Sequence, residues 1–321
     1  MRFSFKQQLK QLDMKKLLFG VLVGVIGVAF YACNKNSNLG TDTLKSSALS
    51  VVATDAKVDN IVETSSYESD VFSLGSGSIS VYSAGLKSGE FVGDMMGGDR
   101  FRNMFDHFPN FKMHYMNGVM PNLTVVSTNG GYPKTMTIDY GDSLVLNNGH
   151  VLKGKIIIVI SAAPFISGST RTVTYESFCN DSTCISGTSV KTRTKDPQIK
   201  FSENTDLTVT LASGTTIHRV EEHVRTWVSG SDTEFNPADD VIELTGKVIV
   251  TDSNGNSYSK IITTPLVKTG DCKFISKGVI EYKNSTGKFA TIDYGDGTCD
   301  NKATRTTQDS TSVITLGRIG R

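Results

Sequence analysis

The sequence lacks an excess of charge of either sign. Its 321 residues include 33 Lys and Arg against 32 Asp and Glu, and charged residues make up only 20% of the chain. Proteins that bind a polyanion such as nucleic acid usually carry a clustered basic surface. The balanced charge therefore predicts that nucleic acid is not a partner.

The short motifs of common catalytic sites are also missing. The sequence contains no G-x-S-x-G, no H-E-x-x-H and no G-x-x-x-x-G-K-[ST], which argues against hydrolases, peptidases and nucleotide enzymes of those types. Paired carboxylates for glycoside hydrolysis leave no such signature, because they need only a separation in space. We expect a non-enzymatic protein without a cofactor, and a hydrolase is the alternative.

Long apolar runs are scarce, and only one stands out. Lys15 and Lys16 lead into sixteen uncharged residues, 17–32, and the run stops at Cys33. A spanning helix needs about 20 apolar residues, so this run is short for a permanent span and suits the apolar region of a secretory signal. Residues 1–32 are therefore predicted to be a signal peptide, with Met14 as a second candidate start.

The end of that run, Phe30-Tyr31-Ala32-Cys33, resembles the lipobox of bacterial lipoproteins. The resemblance implies that the Cys33 thiol carries a diacylglyceryl group with fatty chains such as palmitate, and that the bond after Ala32 is cut. One chain binds a bilayer reversibly, whereas two or more hold it effectively permanently. The lipid bilayer is thus the first expected partner. The alternative is an uncleaved membrane helix that ends in a buried cysteine.

Four cysteines remain once Cys33 is assigned to lipid, and four cysteines allow three pairings. The stretch CNDSTC lies between two strand-like runs, which favours a bond between Cys179 and Cys184 and leaves Cys272 for Cys299. Neither pair has the spacing of a zinc site. We therefore expect two disulfides, formed in an oxidising compartment, and no metal at these cysteines.

Composition divides the chain into four parts. After the signal at 1–32, residues 33–45 are the lipidated cysteine and a polar, flexible tether. Residues 46–118 form a weakly helical and Gly/aromatic-rich loop segment, with apolar side chains at helical spacing first near 49–62 and again at 101–108. Residues 119–321 form the β-rich domain.

The β-rich domain alternates apolar and polar residues between Gly- and Asn-rich turns such as NGG and SNGN. The stretch KTMTIDYGD at 134–142 returns as KFATIDYGD at 288–296, which indicates repeats near 124–160 and 278–314. The predicted fold is all-β: an antiparallel multi-stranded sandwich or elongated meander with two pseudo-repeats, preceded by a signal helix and the weakly helical segment.

Several of these motifs occur in the same order in a known group. TIDYGDGTCDNKAT, KGKIII, ADDVIELTGKVIVTDSNGNSYSKIITTPLV and the lipobox resemble a group of uncharacterised cell-envelope lipoproteins from Bacteroidota, over about residues 120–305. The resemblance implies a place in the cell envelope but no activity. NKNSN after Cys33 lacks the acidic run that resembles a surface-export signal, so a periplasm-facing position on the outer membrane is expected. Candidate partners are a glycan or an envelope protein.

Acidic turns are the best candidate metal ligands. Asp293, Asp296 and Asp300 lie beside glycines in DYGDGTCD, and carboxylate oxygens suit Ca²⁺. Asp-Gly is also a common way to turn a strand, and no Glu completes an EF-hand loop. We expect structural turns, and a weak calcium site is the alternative.

The strand-like stretch that follows Thr216 contains two histidines. Strict alternation places His218 and His223 on opposite faces, which disfavours a zinc pair. The His223 face also carries Arg219, Glu221, Arg225 and Trp227. We expect this face to be a solvated charge ladder. Trp227, the only tryptophan, is expected in the core; as an exposed platform it would instead indicate a carbohydrate- or peptide-capture module.

Overall fold

The computed structural model describes residues 54–55, 58–59, 61–62, 65–66, 69, 120–128, 131–163, 165–232 and 237–316. The predicted signal, Cys33, the tether and the aromatic stretch at 101–108 lie outside the described residues.

Thirteen strands make up one antiparallel sheet, and each strand pairs with the next one in the sequence. The strands are β1 (Asn122–Ser127), β2 (Lys134–Val145), β3 (Val151–Ile160), β4 (Thr170–Asn180), β5 (Thr183–Lys195), β6 (Ile199–Thr210), β7 (Thr216–Ser229), β8 (Val241–Asp252), β9 (Ser257–Thr269), β10 (Lys277–Asn284), β11 (Gly287–Asp296), β12 (Lys302–Thr307) and β13 (Thr311–Thr315). A 3-10 turn at Pro237–Asp239 precedes β8. The all-β prediction is confirmed, and of its two forms the meander is the observed one.

The sheet is strongly curled. Tyr175 of β4 and Ile280 of β10 line the same cavity, although six strand spacings, roughly 29 Å in a flat sheet, separate β4 from β10. Helical residues at 54–55, 58–59, 61–62, 65–66 and 69, here called α1, contact the concave side. The sheet therefore curves around α1.

Apolar side chains of the concave side form two clusters. The first runs from β1 to β8 and includes Val58 of α1, Ile138 and Val248. The second runs from β8 to β13 around Ile292, and Tyr258 packs against both. Burying one such side chain stabilises the fold by about 1.5–3 kcal/mol. The concave face is thus apolar at its two sides, and its centre is where the charged residues lie.

The sequence repeat has a structural counterpart in β2 and β11. Ile138 and Tyr140 point into the core, as do Ile292 and Tyr294 at the matching positions. Asp139 Oδ1 accepts a hydrogen bond from the N–H of Gly141 (2.9 Å), and Asp293 Oδ1 accepts one from Gly295 (2.8 Å). The pairing with the preceding strand differs between the two copies. Met136 pairs with Val125. Ala290, which matches Met136, pairs with Tyr282, three residues beyond the position that matches Val125.

Candidate functional site

The helical residues of α1 carry two acids on their buried side. Asp55 and Asp59 are one turn apart, so they lie on one helix face beside Val58 and Val62. Asp59 is only 4% exposed. Buried carboxylates need compensating charge, and the sheet supplies it.

Arg219 of β7 and Lys260 of β9 bind these acids. Asp59 Oδ1 lies 2.6 Å from Arg219 Nη2, and Asp59 Oδ2 lies 2.6 Å from Lys260 Nζ. Asp55 accepts hydrogen bonds from the hydroxyls of Tyr258 (2.8 Å) and Tyr282 (3.2 Å). Arg219 also binds Glu221 on its own strand. We call Asp55, Asp59, Arg219, Glu221 and Lys260 the α1 charge cluster.

Mutual attraction keeps Asp59, Arg219 and Lys260 ionised. Burial raises the pKa of Asp59, but the charges of Lys260 and Arg219 outweigh burial and hold that pKa below its usual value. Burial lowers the pKa of Lys260, but Asp55 and Asp59 raise it above its usual value. The contacts are therefore salt bridges at neutral pH.

A second charged group centres on Glu203 of β6. Its Oε2 lies 2.7 Å from Arg225 Nη1 and 3.7 Å from Lys191 Nζ, and its Oε1 accepts a hydrogen bond from Ser189 (3.1 Å). Burial raises the pKa of Glu203, but Lys191 and Arg225 bring it well below its usual value. Burial lowers the pKa of Lys191 to about 7. We call Lys191, Glu203 and Arg225 the Glu203 cluster.

A partly enclosed cavity of about 60 Å³ lies between the two clusters and α1. Its polar wall comes from β6, β7 and β9, and includes Glu203, Thr205, Glu221, His223, Arg225 and Lys260. Its apolar wall includes Val62, Leu207, Leu244, Ile262, Leu266 and Ile280. The cavity is therefore amphipathic, and it is a candidate binding site.

His223 and Glu221 reach this cavity from the middle of β7. Their nearest polar atoms, His223 Nδ1 and Glu221 Oε2, are 3.9 Å apart, which is too long for a hydrogen bond. Burial lowers the pKa of His223, so the imidazole is neutral at pH 7. It then offers one donor and one acceptor nitrogen.

Gly246 of β8 makes room for His223. It pairs with His223, and its φ of +141° suits only glycine. A Cβ at this position would lie 2.6 Å from His223 Cδ2 and 2.1 Å from the carbonyl oxygen of Glu222. The glycine in LTGKVIV is thus required by this close approach.

The prediction that the charged row on β7 is exposed to solvent is wrong. Alternation is correct, since the His218 side chain is 52% exposed and that of His223 only 15%. The row on the His223 side is buried, however, with Arg219 at 3% exposure and Glu221 at 7%. The physical reason is that this row meets the acids of α1 and the Glu203 cluster, so its charges are neutralised inside the curled sheet.

Trp227 lies in the core, as predicted. It packs with Ile199 and Ile242, is 5% exposed, and its indole N–H donates to Asp240 Oδ1 (3.2 Å). A buried ring cannot serve as an exposed sugar platform. The part of the capture hypothesis that depended on Trp227 is therefore wrong.

The acidic turns use their carboxylates locally. Asp293, Asp296 and Asp300 each accept a hydrogen bond from the N–H two residues further on, at 2.8–3.0 Å. These are Asx turns, which shape the backbone. Among the described residues, no group of three or more His, Cys, Asp or Glu side chains is placed to hold a metal ion.

Both predicted disulfides are present. Cys179 and Cys184 lie opposite each other at the end of the β4–β5 hairpin. Cys272 follows β9 and is bonded to Cys299, which follows β11. The first bond staples a turn, whereas the second joins segments 27 residues apart.

Glu203 and Glu221, two of the three carboxylates that line the cavity, are placed differently from a glycosidase pair. Glu203 and Glu221 belong to neighbouring strands of the same wall, and each is bound by an arginine. Glycoside hydrolysis needs carboxyl groups that flank the scissile bond, one of them free to donate a proton. The arrangement suits hydrogen bonding to a ligand better than proton transfer.

Sequence reasoning missed several of the charged residues in and around the cavity. Lys191, Glu203 and Lys260 occupy inward positions of their strands, and Asp55 and Asp59 occupy the apolar face of the predicted helix. The available signal was a charged residue at a position where alternation calls for an apolar one. Within the described ranges, no helix is both long and apolar enough to cross a membrane. No protein-family model, curated protein or solved structure matches this chain.

Proposed function

We propose that this protein is a bacterial cell-envelope lipoprotein, held on the outer membrane by acyl chains on Cys33, with a non-enzymatic structural or binding role. The observation that carries the proposal is the uncharged run 17–32, which follows two lysines and stops at Ala32-Cys33. Such a run is too short for a comfortable span and is followed at once by polar residues.

The two disulfides support export. Disulfides persist in oxidising compartments such as the bacterial periplasm and are rare in the cytosol. Both of them lie in the β domain, at Cys179–Cys184 and Cys272–Cys299. The polar residues 33–45 would then lift this domain off the bilayer. The absence of an acidic run after Cys33 favours the side of the outer membrane that faces the periplasm.

Binding is the role that the cavity supports. It combines a polar wall with an apolar wall, as small-molecule sites do, and its carboxylates are held by cations rather than left to move protons. A capture module for a small carbohydrate is the second candidate. The hydrogen-bonding side chains of the cavity support this role, whereas the buried Trp227 does not.

The anchor is tested by substituting Cys33→Ser in the full chain. We expect the parent to incorporate labelled palmitate, to yield a diacylglyceryl-modified amino-terminal peptide in mass spectrometry, and to fractionate with the outer membrane. The variant should lose the label and stay unprocessed. Ser37→Ala, in the same polar tether, is the matched control and should behave as the parent. A Cys33→Ser protein that is processed and retained like the parent would overturn the anchor.

A further inference from the structure

The polar side chains of the cavity differ in how many of their hydrogen-bonding atoms already have a partner in the protein. Arg219 and Lys260 share Asp59, and Arg225 binds Glu203. Glu221 uses only Oε1, which binds Arg219. Glu221 Oε2 and the ring nitrogens of His223 make no hydrogen bond within the described part of the chain. A ligand would therefore meet acceptor lone pairs on Glu221 and His223 and one ring N–H of His223.

The charge of the lining is balanced. Its three carboxylates, Asp59, Glu203 and Glu221, face three cations, Arg219, Arg225 and Lys260. Each carboxylate is already paired with at least one cation, so a charged ligand would have to displace a salt bridge or be buried without compensation. Either event is costly in a low-dielectric site. The cavity therefore selects a neutral ligand.

The spacing of Glu221 and His223 fits one bridging hydroxyl. A single oxygen about 2.8 Å from both Glu221 Oε2 and His223 Nδ1 is compatible with their 3.9 Å separation. A hydroxyl can donate to the carboxylate and accept from the imidazole N–H, or donate to either. The hydroxyls of Ser189 on β5 and Thr205 on β6 also line the cavity. Their protons are donated to Glu203 and to Ser189, so they offer a ligand only acceptor lone pairs.

The size of the cavity limits the ligand to a small molecule. About 60 Å³ accommodates roughly four to six water molecules, which occupy on the order of 120–180 Å³ in the liquid. A short polyol or a single sugar ring has about this volume. The opposite wall, with Leu244, Ile262 and Leu266, would pack against the C–H groups of such a molecule.

We propose that the cavity binds a neutral polyhydroxy compound, of the class of a short polyol or one sugar ring, through Glu221 and His223. The proposal gives a ligand class to the binding role proposed above, and so rests on that role, but it does not depend on the lipid anchor. The polar wall recognises hydroxyl groups, and the apolar wall excludes water from the carbon skeleton.

The test uses the full-length chain purified in detergent, with titration calorimetry and saturation-transfer NMR. The neutral probes are glycerol, myo-inositol, D-glucose and D-galactose; the charged counterparts are glucose 6-phosphate and gluconate. We expect saturable binding of at least one neutral probe in the micromolar to millimolar range, and at least tenfold weaker binding of both charged compounds. Failure of all four neutral probes, or tighter binding of a charged one, would overturn the proposal.

Variants locate the binding. Glu221→Gln and His223→Phe should each weaken binding of the neutral probe at least tenfold. The matched controls Glu222→Gln and His218→Phe lie on the outward face of the same strand and should bind as the parent does. If the inward variants fold poorly, Ile262→Phe, which fills the cavity from the apolar wall, must abolish binding. Parent-like binding by Ile262→Phe or by both inward variants would refute the site.

The anchor and the cavity are tested separately. Cys33→Ser should bind the neutral probe as the parent does, since the described residues that line the cavity all lie between Asp59 and Ile280 in the sequence. Loss of lipidation with retained binding would leave the cavity proposal intact. Normal lipidation without binding would refute the cavity ligand alone.

Discussion

Asp59 Oδ2 lies 2.6 Å from Lys260 Nζ, although 201 residues separate the two along the chain. Asp59 comes from α1, and Lys260 comes from the ninth strand of the sheet. The contact is buried, and Arg219 joins it through the other carboxylate oxygen. The first described segment of the protein is thus held inside the sheet by charge, in addition to the apolar contacts of Val58 and Ile61.

Asp59→Asn should destabilise the protein strongly. The substitution leaves Lys260 and Arg219 without one of their anions, and breaking a buried pair costs about 3–5 kcal/mol. Glu222→Gln is the control, because the Glu222–Lys247 pair is solvent-exposed and should change the free energy of unfolding by about 1 kcal/mol or less. Urea denaturation measures both. Similar losses for the two variants would contradict a buried, energetically coupled cluster.

Stability should rise with pH between about 7 and 10 because of Lys191. Burial lowers the pKa of Lys191 from 10.5 to about 7 in the folded state. Between these values the unfolded chain binds more protons than the folded chain, so the free energy of unfolding increases as pH rises. The neighbouring Glu203, whose pKa is held well below its usual value, stays ionised throughout this window. The full effect is about 3–5 kcal/mol.

Lys191→Met should remove this pH dependence. Denaturation at about pH 7 and about pH 10 should give a smaller difference for the variant than for the parent. Lys247→Met, whose lysine is exposed, should keep the parent's slope. A Lys191→Met slope equal to that of the parent would show that Lys191 titrates normally.

The two disulfides should contribute unequally. Loop-closure entropy grows with the length of the loop, and the sequence separations are 5 for Cys179–Cys184 and 27 for Cys272–Cys299. The double Cys→Ala variant of the longer loop should lose about 3–4 kcal/mol and that of the shorter loop about 2 kcal/mol. Urea denaturation under non-reducing conditions checks the order. A larger loss for the short loop would indicate that native packing, rather than chain entropy, dominates.

Trp227→Ala should destabilise the protein without changing ligand binding. Removing the buried ring leaves a cavity beside Ile199 and Ile242 and costs about 3–5 kcal/mol. Val228→Ala, on the exposed side of β7, should cost less than about 0.5 kcal/mol. Binding of a neutral sugar to the folded Trp227→Ala protein should equal that of the parent. Selective loss of binding with normal stability would restore the platform role.

Gly246→Ala should be more harmful than Gly214→Ala. Both glycines have a positive φ, but a Cβ at Gly214 meets nothing within 4 Å, whereas one at Gly246 collides with the Glu222 carbonyl and His223. Gly214→Ala should cost about 1 kcal/mol, and Gly246→Ala should cost clearly more. Thermal unfolding measures the Tm of both variants. Equal decreases in Tm would mean that β8 adjusts to the added methyl group without loss of stability.

The strands and the disulfides were readable from the sequence because both depend on local information. Alternation with period two marks a strand that buries one face, and it correctly separated His218 from His223. The turn between Cys179 and Cys184 brings the two sulfurs together in any hairpin with that register. The paired motifs at 134–142 and 288–296 indicated a repeat, and Ile138 and Ile292 at matching positions are both buried.

The charged cavity was not readable in the same way. Alternation groups Arg219, Glu221 and Arg225 on one face, but it does not say which face of the sheet is concave. A charged row is usually solvated, and the acids that neutralise part of this row come from α1, far away in the sequence.

The sequence by itself determined the all-β class and the alternation of side chains along each strand, since these follow from local patterns, and it favoured the cysteine pairing that is observed. The choice between a sandwich and a meander was left to the tertiary structure. Only the tertiary structure decided that the charged centre of β7 is interior, because the curl of the sheet and the placement of α1 bring Asp59, Arg219 and Lys260 together. Buried charges are stable only when such distant partners meet, and no local pattern encodes that meeting.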